Sequence, residues 1–100
     1  DAHEHFVRRG LHVYSEEQVS FATAALGGEI EVDTMWGKAK MRVTSGTQHG
    51  TLFRMRGKGV HADDGRQGDQ LVRVNIRVPN KLTKQQKEYL QQFEEVFGTG

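Results

Sequence analysis

The stretch "EIEVDTMWGKAKMRV", residues 29–43, constrains the fold more than any other part of the chain. Apolar and charged residues alternate through it, acidic on the first half and basic on the second. Successive side chains of a strand point to opposite faces, so this pattern is two strands that share one apolar face. A two-residue turn at Trp36-Gly37 places Met35 opposite Lys38. Counting outward, Thr34 then faces Ala39, Val32 faces Met41 and Ile30 faces Val43. On the other face Asp33 meets Lys40 and Glu31 meets Arg42. A slip of one residue would turn the whole apolar set to solvent, so the faces are strongly specified. The exposed charge pairs add only on the order of a few tenths of a kcal/mol each.

A lone hairpin is not stable in water, so the rest of the chain must cover its apolar face. Residues 6–14 read as strand, broken at Gly10. "SFATAALGG" reads as a helix of about two turns, with Ser20 as N-cap and Gly27-Gly28 as its stop. "TSGTQHG" is a turn. "LFRMR" is a strand with Phe53 and Met55 on one face and Arg54 and Arg56 on the other. "GKGVHADDGRQGD" is rich in turn formers and reads as an irregular loop. "QLVRVNIRV" alternates cleanly, with Val72, Val74, Ile76 and Val78 on one side, and Pro79 ends it. In "LTKQQKEYLQQFEEVFG" the Thr83/Gln86 spacing makes a capping box, and Tyr89, Leu90, Phe93 and Phe97 form an apolar stripe ending at Gly98. The expected fold is mainly β: a small antiparallel β-sandwich with one short inserted helix and a C-terminal helix. The expected division is a sandwich over 1–79 and the helix over 80–100.

Charge and composition narrow the chemistry. The 100 residues carry a net charge of +1, with 35% apolar and 27% charged residues, so no global field favours nucleic acid or membrane. No cysteine is present, which removes disulfides and thiolate metal sites and leans toward a cytoplasmic setting. No run reaches the length of a membrane span and no signal peptide is visible. The chain starts at Asp1 and reads as part of a longer protein.

The basic, glycine-flanked "GTLFRMRGKGV" invites a phosphate-loop reading. That loop needs glycine where Leu52 stands and serine or threonine where Gly59 stands, so a strand leaving its sheet through a glycine turn fits better. His3 and His5 share a strand face, but neither they nor His12, His49 and His61 complete a ligand set, so no metal is assigned. Nothing marks a nucleophile or a general acid–base pair; catalytic residues and cofactors are assigned as none, and the chain is read as no enzyme. Arg54, Arg56, Arg73 and Arg77 could share a basic face, which keeps a nucleic-acid-binding β-domain as the alternative reading, although acidic residues dilute the field. Trp36 at a hairpin tip is unusual. It either packs on its own sheet or serves as an exposed contact anchor.

The blocks "VSFATAALGGEIEV", "GTQHGTLFRMRGKGV", "GRQGDQLVRVNIRVP" and "LTKQQKEYLQQF" closely resemble the second C-terminal β-domain of DnaJ-type heat-shock co-chaperones. "HEHFVRRGLHVY" resembles that domain's opening pattern H-x-x-F-x-R-x-G through His3, Phe6, Arg8 and Gly10. The likeness covers nearly the whole chain. Three places depart from it: His12-Val13-Tyr14, Gln18 and the Trp36-Gly37 turn. The resemblance implies a β-sandwich that takes part in holding unfolded client polypeptides, with homodimerisation through the C-terminal helix and delivery of clients to a DnaK-type ATPase by the full-length protein. The apolar stripe then places the dimer interface at Tyr89, Leu90, Phe93 and Phe97, and the exposed-anchor reading makes Trp36, which the resemblance does not cover, the candidate client contact. The family's ATPase-stimulating His-Pro-Asp motif and its cysteine-rich zinc module have no counterpart in these residues, so neither role is implied here. The expected setting is cytoplasmic, with no membrane partner.

Overall fold

The computed structural model describes residues 6–99. Val7–Arg9 (β1) turns through Gly10 into His12–Ser20 (β2), and Val7 lies opposite Tyr14. Phe21–Leu26 (α1) leads to the hairpin of Gly28–Thr34 (β3) and Gly37–Val43 (β4). Leu52–Met55 (β5), Gln70–Arg77 (β6) and Lys84–Thr99 (α2) complete the chain. One sheet has the order β1-β2-β6-β5 and the other is the β3-β4 hairpin alone. Valines from both make the core: Val19 of β2, Val32 of β3, Val43 of β4 and Val72 and Val74 of β6, with Met41. Ile30, Phe53 and Met55 pack at its margin. The molecule is therefore a small sandwich, as expected.

Its strands are not all antiparallel. β2 and β6, at the centre of the larger sheet, run parallel from Val13↔Gln70 to Ser20↔Arg77. Alternation tells which face of a strand is buried but not which way its partner runs, and these partners lie far apart in sequence. β2 is also longer than residues 6–14 suggest. "SEEQVS" continues it because Ser15 and Val19 turn inward while Glu16 and Gln18 face out. Gln70 ties the layers together. It is fully buried, and its Nε2 donates to Ser15 Oγ at 2.8 Å and to the Asp33 carbonyl at 3.0 Å.

The hairpin has the expected faces and a different register. Its turn residues are Met35 and Trp36, and Thr34 lies opposite Gly37. Val32 consequently faces Ala39, Ile30 faces Met41 and Asp33 faces Lys38. This is a shift of two residues from the expected pairing, which preserves the faces because the strand period is two. Local geometry selects it. The Thr34 hydroxyl accepts from Trp36 N at 3.0 Å and donates to the Gly37 carbonyl. Gly37 adopts φ +108°, a conformation that side-chain-bearing residues rarely reach. In this register Lys38 Nζ sits 2.8 Å from Asp33 and 3.7 Å from Glu31. The hydrogen bond to Asp33, and then its charge, raise the Lys38 ammonium above the ordinary lysine value.

The connections follow their local chemistry. Ser20 Oγ caps α1 by accepting from Thr23 N at 3.1 Å. The helix carbonyls at Ala24 and Ala25 accept from Thr47 N and Gly46 N in the turn after β4. Val78 lies outside β6 and is 78% exposed, contrary to its expected place in the inward row. α2 runs one residue past the expected stop at Gly98.

Because Val32 is fully buried and Glu31 exposed, Val32→Asp should destabilise the fold by roughly 3 kcal/mol or more, whereas Glu31→Ala should change it by about 0.5 kcal/mol or less. Urea midpoints that coincide for the two variants would overturn the face assignment.

Candidate functional site

Among the described residues α2 carries five of the eleven large apolar side chains that are exposed. Its start is the expected capping box: Gln86 N donates to Thr83 Oγ1 at 3.1 Å, and Thr83 N donates to Gln86 Oε1 at 2.9 Å. Sixteen residues at 1.5 Å rise make a rod of about 24 Å. The molecule measures 56 Å along its longest axis and 19 Å along its shortest. Tyr89, Leu90, Phe93 and Phe97 are 61%, 42%, 46% and 70% exposed, and Val96 is 75% exposed. Phe93 meets Phe21 of α1 edge-on at 5.8 Å and stacks on Phe97 at 5.8 Å. Among the described residues the aromatic contact of α2 with the sandwich is that of Phe93 with Phe21, and most of the stripe is left exposed. No acidic residue lies in its first turn and no basic residue in its last.

Trp36 belongs to a different surface. It projects from the hairpin tip toward the loop after β5, where its Nε1 donates to the Gly59 carbonyl at 2.9 Å. Its ring lies on His61 at 4.1 Å and 14° between planes. His61 Nε2 is 2.7 Å from the Gly57 carbonyl. Trp36 remains 52% exposed, so one face is anchored and the rest is open to solvent. It packs on the glycine loop rather than on its own sheet.

A third surface has no contiguous signal in the sequence. A shallow depression of about 1020 Å³ runs over the outer face of the larger sheet and along β2, lined by Val7, Tyr14, Glu16, Leu52 and Arg73 among others. Cross-strand pairing builds it, since Val7 lies beside Tyr14, Glu16 beside Arg73 and Arg73 beside Leu52. Its lining comes from five strands and the turn before β5, and its apolar members Val7, Tyr14 and Leu52 sit on three different strands.

The remaining candidates have structural roles. His12 Nδ1 accepts from Asp69 N at 3.0 Å and His49 Nδ1 accepts from Ile76 N at 3.0 Å. Among the described residues no group of three histidine, aspartate or glutamate side chains could hold a metal. His3 and His5 lie outside the described residues. Arg54 is paired with Asp69 at 3.2 Å, and Arg56 lies beyond the end of β5 rather than in a common row with Arg73 and Arg77.

Residues 1–79 match the family profile of the DnaJ C terminal domain. The chain belongs to that family. It is 48% identical over 97 residues to Chaperone protein DnaJ of Opitutus terrae, covering 96% of this chain and 25% of that protein. It is 52% identical over 93 residues to the protein of the same name from Methanosarcina mazei, covering 92% of this chain and 24% of the relative. With that of Bacillus velezensis it shares 49% over 98 residues, 97% of this chain and 26% of the relative. The chain thus spans about a quarter of the length of these curated relatives.

The motifs of this DnaJ C-terminal domain have a visible physical basis. In the opening pattern, Arg8 Nε donates to the Gly10 carbonyl at 2.8 Å and braces the β1–β2 turn. "RGKGV" and "GRQGD" meet each other: Gly59 N donates to the Gly68 carbonyl at 3.0 Å and Gly68 N donates to the Val60 carbonyl at 2.9 Å, while Val60 N donates to the Leu11 carbonyl at 2.8 Å. A Cβ on Gly68 would overlap the Leu11 carbonyl, so only glycine permits this approach. The basic glycine stretch turns a chain and supports Trp36.

Since Trp36 is half exposed and bonded through its Nε1, Trp36→Phe should cost about 1 kcal/mol from the lost hydrogen bond. The wild-type indole should be quenched by acrylamide. An emission maximum typical of a fully buried indole, unaffected by quencher, would contradict this placement.

Proposed function

We propose that this domain is the module by which a DnaJ-type co-chaperone pairs with a second copy of itself and helps hold unfolded client polypeptides, which the full-length protein then delivers to a DnaK-type ATPase in the cytoplasm. The observation that carries the reading is the uncovered stripe on α2, residues 89–97, projecting from the sandwich. Burying each large apolar side chain is worth roughly 1.5–3 kcal/mol, so a stripe of five favours a partner strongly. The charges indicate what partner fits. An antiparallel crossing of two α2 helices brings Lys84 and Lys87 of one copy toward Glu94 and Glu95 of the other and offsets their unfavourable placement on the helix dipole. A two-fold contact of this kind uses the same surface twice. In this reading residues 80–100 form the dimerisation unit and residues 1–79 the client-holding sandwich.

Client holding rests on family membership and on the partly apolar depression over the larger sheet, where an extended chain can lie along β2. The open face of Trp36 is a second contact point. Among the described residues no helix is long and apolar enough to cross a membrane.

Light scattering should report two copies for the intact chain and one after truncation following Asn80. A helix-to-helix interface of about 1,200 Å² is small, so the dimer should dissociate on dilution. Phe93→Asp should give monomers with an unchanged far-ultraviolet spectrum in the strand region. A monomer at high concentration of the intact chain would refute dimerisation through α2. Separately, the chain should slow aggregation of an unfolded protein without ATP; no effect at large excess would remove the client-holding half of the proposal.

A further inference from the structure

On the side of the molecule away from β2, the hairpin ends at β4 and the larger sheet ends at β5, so the sandwich presents two free strand edges there. A groove of about 340 Å³ lies between them. Its apolar lining is the margin of the core: Met41, Phe53 and Met55, the last two only half-buried. Five of the nine residues lining it are lysine or arginine, and none is acidic. Arg54 is engaged by Asp69. Lys40, Arg42, Arg56 and Lys58 make no ion pair with any acidic side chain among the described residues. Lys40 lies across the hairpin from Glu31 and Arg42 from Glu29, but the ion pairs formed there are those of Lys38 with Asp33 and Glu31.

The backbone on both walls is also available. Thr34 and Gly37 close the hairpin as a hydrogen-bonded pair, and antiparallel pairs alternate between bonded and non-bonded, so the N–H and C=O groups of Lys38, Lys40 and Arg42 face the open side. On the other wall Val74 N donates to the Thr51 carbonyl at 2.9 Å, and the same alternation directs the backbone groups of Leu52 and Arg54 outward.

We propose that the groove between β4 and β5 docks an extended acidic polypeptide segment by strand addition. Alternate side chains of the segment would meet the core margin at Met41 and Phe53, and the intervening carboxylates would meet Lys40, Arg42, Arg56 and Lys58. An extended chain presents side chains to opposite sides with the same period of two, which matches a groove with an apolar floor and a cationic rim. A protein segment fits better than nucleic acid. The groove offers free strand edges and no exposed aromatic platform for bases, and the net charge of +1 supplies no wider field. The site is on different elements from α2 and from the depression over the larger sheet, and it stands whether or not the chain dimerises.

The test is fluorescence anisotropy on the intact chain with a labelled eight-residue peptide alternating glutamate and valine. Binding should be saturable and weaken as salt is raised. Replacing the glutamates by glutamine should weaken it at least tenfold, a readout that needs no protein variant. Lys40→Glu with Arg42→Glu, both exposed positions, should weaken it at least tenfold, whereas the same charge change at Arg77 and Lys81, exposed positions outside the groove and the α2 stripe, should alter it less than twofold. Absence of saturable binding, equal losses in the two double variants, or an unaffected glutamine peptide would overturn the proposal. So would a labelled oligothymidylate that binds more tightly than the acidic peptide and is lost in the same β4 variant, which would make the groove a nucleic-acid site.

Discussion

The parallel pairing of β2 with β6 is the constraint on which the other elements depend. It fixes Val13 against Gln70 and holds register to Ser20 against Arg77. Two adjacent strands that run the same way require a long connection on one side of their sheet. Here that connection contains α1, the β3-β4 hairpin, β5 and the glycine loop. The hairpin must therefore lie over the face that bears Val19, Val72 and Val74, and it closes the core. Gln70 marks the junction of the two sheets. It bonds the β2 hydroxyl of Ser15 and the β3 carbonyl of Asp33 from a fully buried position, where an unpaired amide donor would be costly.

A six-stranded sandwich of this size has limited apolar surface for its own interior. The core is mostly valine, and the larger apolar side chains are outside it: Phe93 and Phe97 on α2, Phe21 on α1, Trp36 at the hairpin tip and Leu52 on β5. Such surface is characteristic of a domain that meets other chains. The charge pattern divides these surfaces. Lys38 gathers Asp33 and Glu31 on the solvent face of the hairpin, while the residues lining the β4–β5 groove include five cations and no acid, with Asp69 engaging Arg54 from outside it. Small changes of register thus decide which charges remain available to a partner.

The elements with strong local chemistry are legible in the amino-acid sequence. The capping box at Thr83 and Gln86, the N-cap at Ser20 and the glycine stop after Leu26 all follow from hydrogen bonds between residues close in sequence. The faces of β3, β4, β5 and the inner part of β6 follow from alternation. The second half of β2 is not legible, because Glu16, Glu17 and Gln18 interrupt any apolar alternation; that strand is held by β6, not by its own composition. The hairpin register differs from the expected one because Trp36-Gly37 resembles a turn pair, while the Thr34 hydroxyl favours a turn one residue earlier. The role of Trp36 is likewise open at the level of sequence, since its partners Gly59 and His61 are distant along the chain.

The sequence by itself determined the family, most of the elements, the buried side of most strands and the apolar stripe of α2, because each is written in residues a few positions apart or in long blocks of motif. Only the tertiary structure decided the direction of the central strands, the pairing of the hairpin, the anchoring of Trp36 and the charge left over between β4 and β5. Those depend on which distant segments meet. A period-two pattern specifies a face, but it is equally satisfied by parallel or antiparallel neighbours and by registers that differ by two residues.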